Sequence, residues 1–331
     1  MAPAREKHSG EPPPPYRLLS ARLGAPGIPQ YSARERLRRL LGHRYSQQFR
    51  RHVGADGVWF ELTAATPQGK TRKCTGLIGR ARRAFYPTYN RRSAVRLNSA
   101  ARRMQGAGRG RRTGERSSVA GGKRLDAELL HIVNCLGGDP RAQLATGQRC
   151  ECGPRPPRRS RCAQSGEMLW NPQVMRYLEE CRGRDITLLR SQVTVGSPLK
   201  RLCTDIDDVG VQYEGTPRER LVFLERKRGY ADDSLFASCG YLEPPFPQSD
   251  GTKSSAFNHH QLQVCLGQQI VNQEYAAAGV RVDHTYVVYL SRHTKDPDPV
   301  KRNACEWYGP RGWWHHEDDR RLLYAKLCRG R

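Results

Sequence analysis

The chain has 331 residues, with 57 Lys and Arg against 32 Asp and Glu and a formal net charge of +25. That length suits one fold of about 150 to 250 residues with flexible basic sequence attached better than two complete domains. The charge favours a polyanionic partner, DNA or another nucleic acid, and no apolar run is long enough to cross a bilayer, so a membrane partner is not expected.

Residues 1–119 read as a basic, mostly disordered N-terminal region. The first thirty are rich in Pro, Gly and Ala and include the run Pro12–Pro15, which no helix interior tolerates. From Ser32 to His52 a capping Ser and the spacing of Leu37, Leu40, Leu41 and Tyr45 predict a basic amphipathic helix over 32–52. Val58–Leu62 reads as a short strand. The stretch 69–123 is dominated by Arg, Gly and Ser, which suits a solvated linker, a nucleic-acid contact surface or a nuclear localisation signal. Eleven cysteines, an odd number with no hydrophobic signal segment before them, point to reduced thiols and an intracellular protein. Glu6, Glu11 and the proline run weaken a mitochondrial presequence, so a nucleus is the better expectation if the source is eukaryotic or viral.

A folded domain is expected over 120–331. Leu125, Leu129, Ile132, Val133 and Leu136 form one helical stripe that stops at Gly137-Gly138, where a C-terminal cap belongs. Asp126 and Glu128 lie near the start of that helix. Either they face a metal or they oppose the helix dipole. Residues 139–167 return to Pro and Arg and read as a loop insertion. Its Cys150, Cys152 and Cys162 do not have the spacing of a zinc ribbon or finger, although a zinc site with His131 or Cys135 is an alternative to free thiols. Asn171-Pro172 starts a second helix. Ile186–Leu189 and Val193–Val195 alternate like strand residues. Asp205–Val211 and Leu221–Leu224 then read as a hairpin closed by the polar turn Glu214–Arg218. A helix follows over 257–278, then a buried strand over 282–290 and a short helix near 319–327. This order describes an α/β domain with a mixed central sheet.

The hairpin carries the chemistry. Side chains two apart on a strand share a face, which places Asp205 with Asp207 and Glu225 with Lys227. Glu225 follows the apolar run Leu221–Leu224, so its carboxylate is expected to be buried and in need of a cation or an ion pair. Phosphodiester hydrolysis requires a metal to neutralise phosphate and an activated water, and a hard cation needs only two or three carboxylate oxygens.

An acid on one strand, Glu-x-Lys on the next and Gln-Leu on the following helix resemble the PD-(D/E)xK nuclease superfamily, in particular its RecB-like and lambda-exonuclease-like branches. The matching pieces are Thr204-Asp205-Ile206-Asp207, Phe223-Leu224-Glu225-Arg226-Lys227 and Gln261-Leu262. The chain lacks the proline before the first acid. The resemblance implies a restriction-endonuclease-like αβββαβ core over about 120–292. It also implies Mg2+ or Mn2+ held by Asp207 and Glu225, to which the residues themselves add the backbone carbonyl of Arg226 and, as further candidate ligands, Asp205, Asp208 and Glu128. Lys227 would assist the water, Gln261 would orient the site, and the activity would be a metal-dependent deoxyribonuclease, endo- or exonucleolytic. The competing expectation is a non-catalytic basic nucleic-acid-binding protein on a degenerate nuclease fold. Asp207, Glu225 and Lys227 are expected to cluster at an open pocket on the sheet.

Overall fold

The computed structural model describes residues 31–54, 57–63, 72–86, 113–142, 160–161, 168–228, 235–236, 238–242, 246, 253–290, 297–298, 304–310 and 316–329. The expectation of disorder over 1–30, residues 69–71 and 87–112 of the basic stretch expected over 69–123, and the three loop cysteines Cys150, Cys152 and Cys162 lie outside them.

At the centre is a mixed sheet of five strands in the order β6 (Ile186–Ser197), β7 (Leu202–Gln212), β8 (Arg220–Arg228), β11 (His284–Leu290) and β12 (Cys305–Tyr308). Only β8 and β11 run parallel among these neighbours; the other pairs are antiparallel. Helices cover both faces. On one side lie α4 (Thr113–Cys135) and α5 (Pro172–Gly183), whose Leu129, Ile132, Val174 and Tyr177 pack on Ile186, Leu188, Val222, Leu224 and Val288. On the other lie α6 (Ala256–Glu274) and α7 (Glu317–Arg329), whose Leu262, Leu266, Ile270, Leu323 and Leu327 share a core with Val209, Val211, Leu221, Phe223 and Val287. Alternation along β8 assigns its residues to these two cores in turn, which is why the run Leu221–Leu224 is apolar throughout.

The helix boundaries follow local chemistry. Asn171 caps α5 by accepting from the Gln173 amide at 2.9 Å, with Pro172 in the first turn. The left-handed Gly137 and Gly138 close α4, the Gly138 amide returning to the Ile132 carbonyl at 2.9 Å. Ser255 caps α6 through the Asn258 amide. The segments expected as separate strands over 186–195 form one strand, β6, with Gln192 in the left-handed region at φ 56°. The β7–β8 turn contains the predicted polar residues, with Tyr213 and Gly215 also left-handed.

The described part of the N-terminal region is built into this fold. The helix expected over 32–52 is instead α1 (Ala33–Gly42), capped by Ser32, and the single turn α2 (Arg44–Gln47), because His43 takes an extended conformation after Gly42. A hairpin of β1 (Phe49–Gly54) and β2 (Gly57–Leu62) follows, then β3 (Arg72–Gly76) and α3 (Leu77–Phe85). β3 pairs in parallel with the start of β7, extending the sheet to eight strands. Leu37, Leu40, Leu77, Ala81 and Phe85 are buried in the same core as Val209 and Phe223. Apolar residues at helical spacing therefore outweigh the arginines between them, and Tyr31–Arg331 forms one compact unit. Gly196 permits the close approach of β1: a Cβ there would sit 2.6 Å from a ring carbon of Phe49 and 2.6 Å from the Leu202 carbonyl oxygen. Two-residue strand β4 (Ser160–Arg161), in the expected insertion, pairs with β5 (Met168–Leu169) just beyond it, and β9 (Ser238–Tyr241) pairs with β10 (Lys253–Ser255) ahead of α6.

Candidate active site at the fork of two strands

β6 pairs with β7 along its whole length, from Ile186↔Gln212 to Ser197↔Leu202. On the opposite edge, β8 pairs only as far as Asp208↔Leu224, and β3 pairs only at Leu202 and Cys203. On this edge, among the described residues, no strand pairs with residues 204–207 of β7, which thus face a fork. Asp207 sits at its apex. Its Oδ2 accepts the Arg226 amide at 2.8 Å, closing the point where the two strands separate. Gln192, the left-handed residue of β6, lies between the partners of Asp208 and Ile206 and so stands across from Asp207.

Glu225 shares the β8 face with Phe223 and points toward α6. It is 1 % exposed. Its Oε1 is paired with the Lys227 ammonium and accepts from Gln263 Nε2 at 2.7 Å, while its Oε2 is buried with no hydrogen-bond partner. Burial, and next the neighbouring Asp207 carboxylate, push the Glu225 carboxyl up to about 8, against the pull of Lys227. Two acids in one low-dielectric site do not both ionise without a compensating cation.

Arg226, between Glu225 and Lys227 on the strand, points to the other face. There it pairs with Asp208 at 2.7 Å and with Asp126 of α4 at 3.1 Å. Burial works against its charge, and Asp208, then Asp126 and Asp207, more than restore it. The Asp126 carboxyl is raised, chiefly by burial, and it feels Arg226, Asp207, Lys227 and Arg51.

The other sequence-derived candidates are placed as follows. Asp208 is fully buried, accepts the Tyr177 hydroxyl at 2.9 Å and belongs to the Arg226 pair on the far face. Asp205 spends both oxygens on protein partners, Thr194 Oγ1 at 2.6 Å and Arg51 Nε at 2.5 Å. Glu128 is buried between Arg124 and the Asn171 amide, so it ties α4 to the start of α5. Gln261 is fully buried and turns to the Gly309 carbonyl at 3.4 Å. The α6 glutamine in contact with Glu225 is Gln263, two positions on. Sequence reasoning missed Gln263, because the choice of which α6 stripe meets β8 depends on the rotation of the helix. It also passed over Arg51, which lies in the segment read as a helix.

No protein-family model matches the sequence, and no curated protein matches it. The residues themselves are therefore the basis for function. Asp207 and Glu225 offer hard carboxylate oxygens, one of them an unsatisfied buried acceptor, which fits a magnesium-like cation that keeps most of its waters. Among the described residues no three His, Cys, Asp or Glu side chains converge as a ready-made metal cage. Among the described residues the Glu225 carboxylate is enclosed and does not line an open pocket. A cleft of about 910 Å³ lies elsewhere, between Gly137–Arg141, α5 and the start of β6. Among the described residues no helix is long and apolar enough to cross a membrane.

Proposed function

We propose that the protein is a metal-dependent DNA nuclease of the PD-(D/E)xK type, with Asp207 and Glu225 as the ligands of Mg2+ or Mn2+. The observation that carries this reading is the enclosed Glu225 carboxylate, raised by burial and by Asp207, with one oxygen on Lys227 and the other without a partner. Such a group is costly in a purely structural role, and a divalent cation relieves both the like-charge pair and the orphaned acceptor. When bound, the metal supplies charge neutralisation at the phosphate and favours deprotonation of the attacking water. Lys227 adds a cation on the same face, placed to hold the water or the developing negative charge. Gln263 fixes the Glu225 carboxylate, and the Arg226 amide fixes Asp207. The net charge of +25 draws the polyanion to the protein.

One observation favours the alternative of non-catalytic nucleic-acid binding. Glu225 is already paired with Lys227, and the described residues hold no third acidic or histidine ligand beside it. The two readings part in a cleavage assay on linear duplex, closed circular and single-stranded DNA with Mg2+, Mn2+ or chelator. The nuclease reading expects metal-dependent cleavage that Glu225→Ala and Lys227→Ala abolish. Cleavage undiminished in both variants, or binding with no metal-dependent cleavage, overturns it.

A further inference from the structure

We propose that Arg51 is a phosphate-binding residue of this site, delivered by the N-terminal strands; the proposal rests on reading the β7–β8 fork as the nuclease centre. Arg51 lies on β1, outside the five-strand sheet, yet its Nε reaches Asp205 at 2.5 Å, two residues from Asp207 in the part of β7 that β8 does not pair with. Asp205 is itself fixed by Thr194. Among the described residues only Nε of this guanidinium is bonded, which leaves both terminal amines available, and about a third of the side chain is exposed. Its charge extends over the site as far as Asp126. A guanidinium anchored through Nε, with its two amines presented side by side, has the geometry for the non-bridging oxygens of a phosphate.

The anchor also explains why Asp205 stands where an extra metal ligand was expected. Its negative charge orients the arginine instead of competing for the cation. Lysine could not replace Arg51 in this arrangement, because its single ammonium would be taken up by Asp205. The strands β1–β3 thereby become part of the substrate surface beyond any structural function they have. The ligand is the DNA backbone near the scissile bond, contacted without regard to base sequence.

A purely structural Arg51–Asp205 tie predicts a change in stability alone, so the test reads salt dependence. Binding of a short DNA duplex is measured in chelator across a range of salt for wild type and Arg51→Gln. The slope of log affinity against log salt is expected to fall in magnitude by about one in the variant. A folded Arg51→Gln with an unchanged slope overturns the proposal. Should the variant not fold, wild-type protein is treated with phenylglyoxal with and without the duplex and its peptides are mapped. Protection of Arg51 supports the contact, and equal modification overturns it. Wild-type cleavage with Mg2+ or Mn2+ is scored separately. A changed slope with no cleavage removes the nuclease reading and keeps the DNA contact, whereas cleavage with an unchanged slope removes Arg51 alone.

Discussion

Asp208 and Arg226 form an ion pair at 2.7 Å that is sealed from solvent, on the sheet face opposite Glu225. The chain thus places three consecutive charged residues, Glu225, Arg226 and Lys227, on alternating sides of a buried strand, and only the middle one is neutralised by the α4–α5 side. Arg226 is the hinge of the site: its amide holds Asp207 while its side chain holds Asp208.

Breaking that pair from one side should destabilise the fold strongly. Asp208→Ala leaves the guanidinium buried with the half-exposed Asp126 as its remaining ion-pair partner among the described residues, a loss of about 3–5 kcal/mol. Tyr177→Phe removes one donor to the same carboxylate and should cost about 1.5–3 kcal/mol. Urea unfolding at unchanged m-value measures both. Equal, small effects from the two variants would show that Asp208 is not what keeps Arg226 in place.

Metal binding should appear as added stability before any cleavage is scored. If Asp207 and Glu225 hold Mg2+, the cation at ten times its dissociation constant stabilises the folded state by about 1.4 kcal/mol. Glu225→Gln retains the side-chain shape but loses the anion, so its thermal midpoint should not respond to Mg2+. A wild-type midpoint that is unaffected by Mg2+ and by chelator, or a Glu225→Gln midpoint that still rises, would remove Glu225 from the metal site.

The sheet and its flanking helices were legible because their signals are local. The apolar runs of β7, β8 and β11, the Asn171-Pro172 start and the Gly137-Gly138 stop each arise from residues adjacent in sequence. Glu225 and Lys227 were legible as a pair for the same reason: strand alternation and a two-residue interval put them on one face of β8, where they form an ion pair. The burial of Leu37 and Phe85 was not legible, because the arginines around them have the composition of a solvated tail and only long-range packing separates the two cases. Nor could alternation decide among the three acids of β7. Asp205 is claimed by Arg51, some 150 residues away, and Asp208 by Tyr177 and Arg226, all contacts that tertiary structure creates.

The two α6 glutamines should separate cleanly. Gln263→Ala removes the hydrogen bond to Glu225 and should lower metal-dependent cleavage by about 10- to 100-fold with little change in unfolding midpoint, as for partners that orient metal ligands. Gln261→Ala opens space in a fully buried position that contacts the Gly309 carbonyl, so its main effect should be on stability. Both kinetics and unfolding are read for each variant. The reverse pattern, with Gln261 controlling the rate, would return the positioning role to the residue that the motif resemblance selected.

His259 should give the fold an acid-sensitive component independent of the site carboxylates. It lies on α6 beneath the Tyr86 ring, at 3.9 Å between centroids, with its Nε2 3.0 Å from Ser254 Oγ. Burial, and then the charge of Arg82, lower its pKa from 6.5 to about 4. Between those values the unfolded chain binds a proton that the folded protein does not, so stability rises with pH across the interval and is lost as pH falls from 6.5 toward 4. The gap corresponds to about 3 kcal/mol once pH reaches the folded value. His259→Gln cannot take up that proton, so its unfolding free energy should vary with pH less steeply than that of wild type over the same window. Parallel wild-type and variant curves between pH 6.5 and 4 would show that His259 titrates alike in both states and that its burial does not exclude the charged ring.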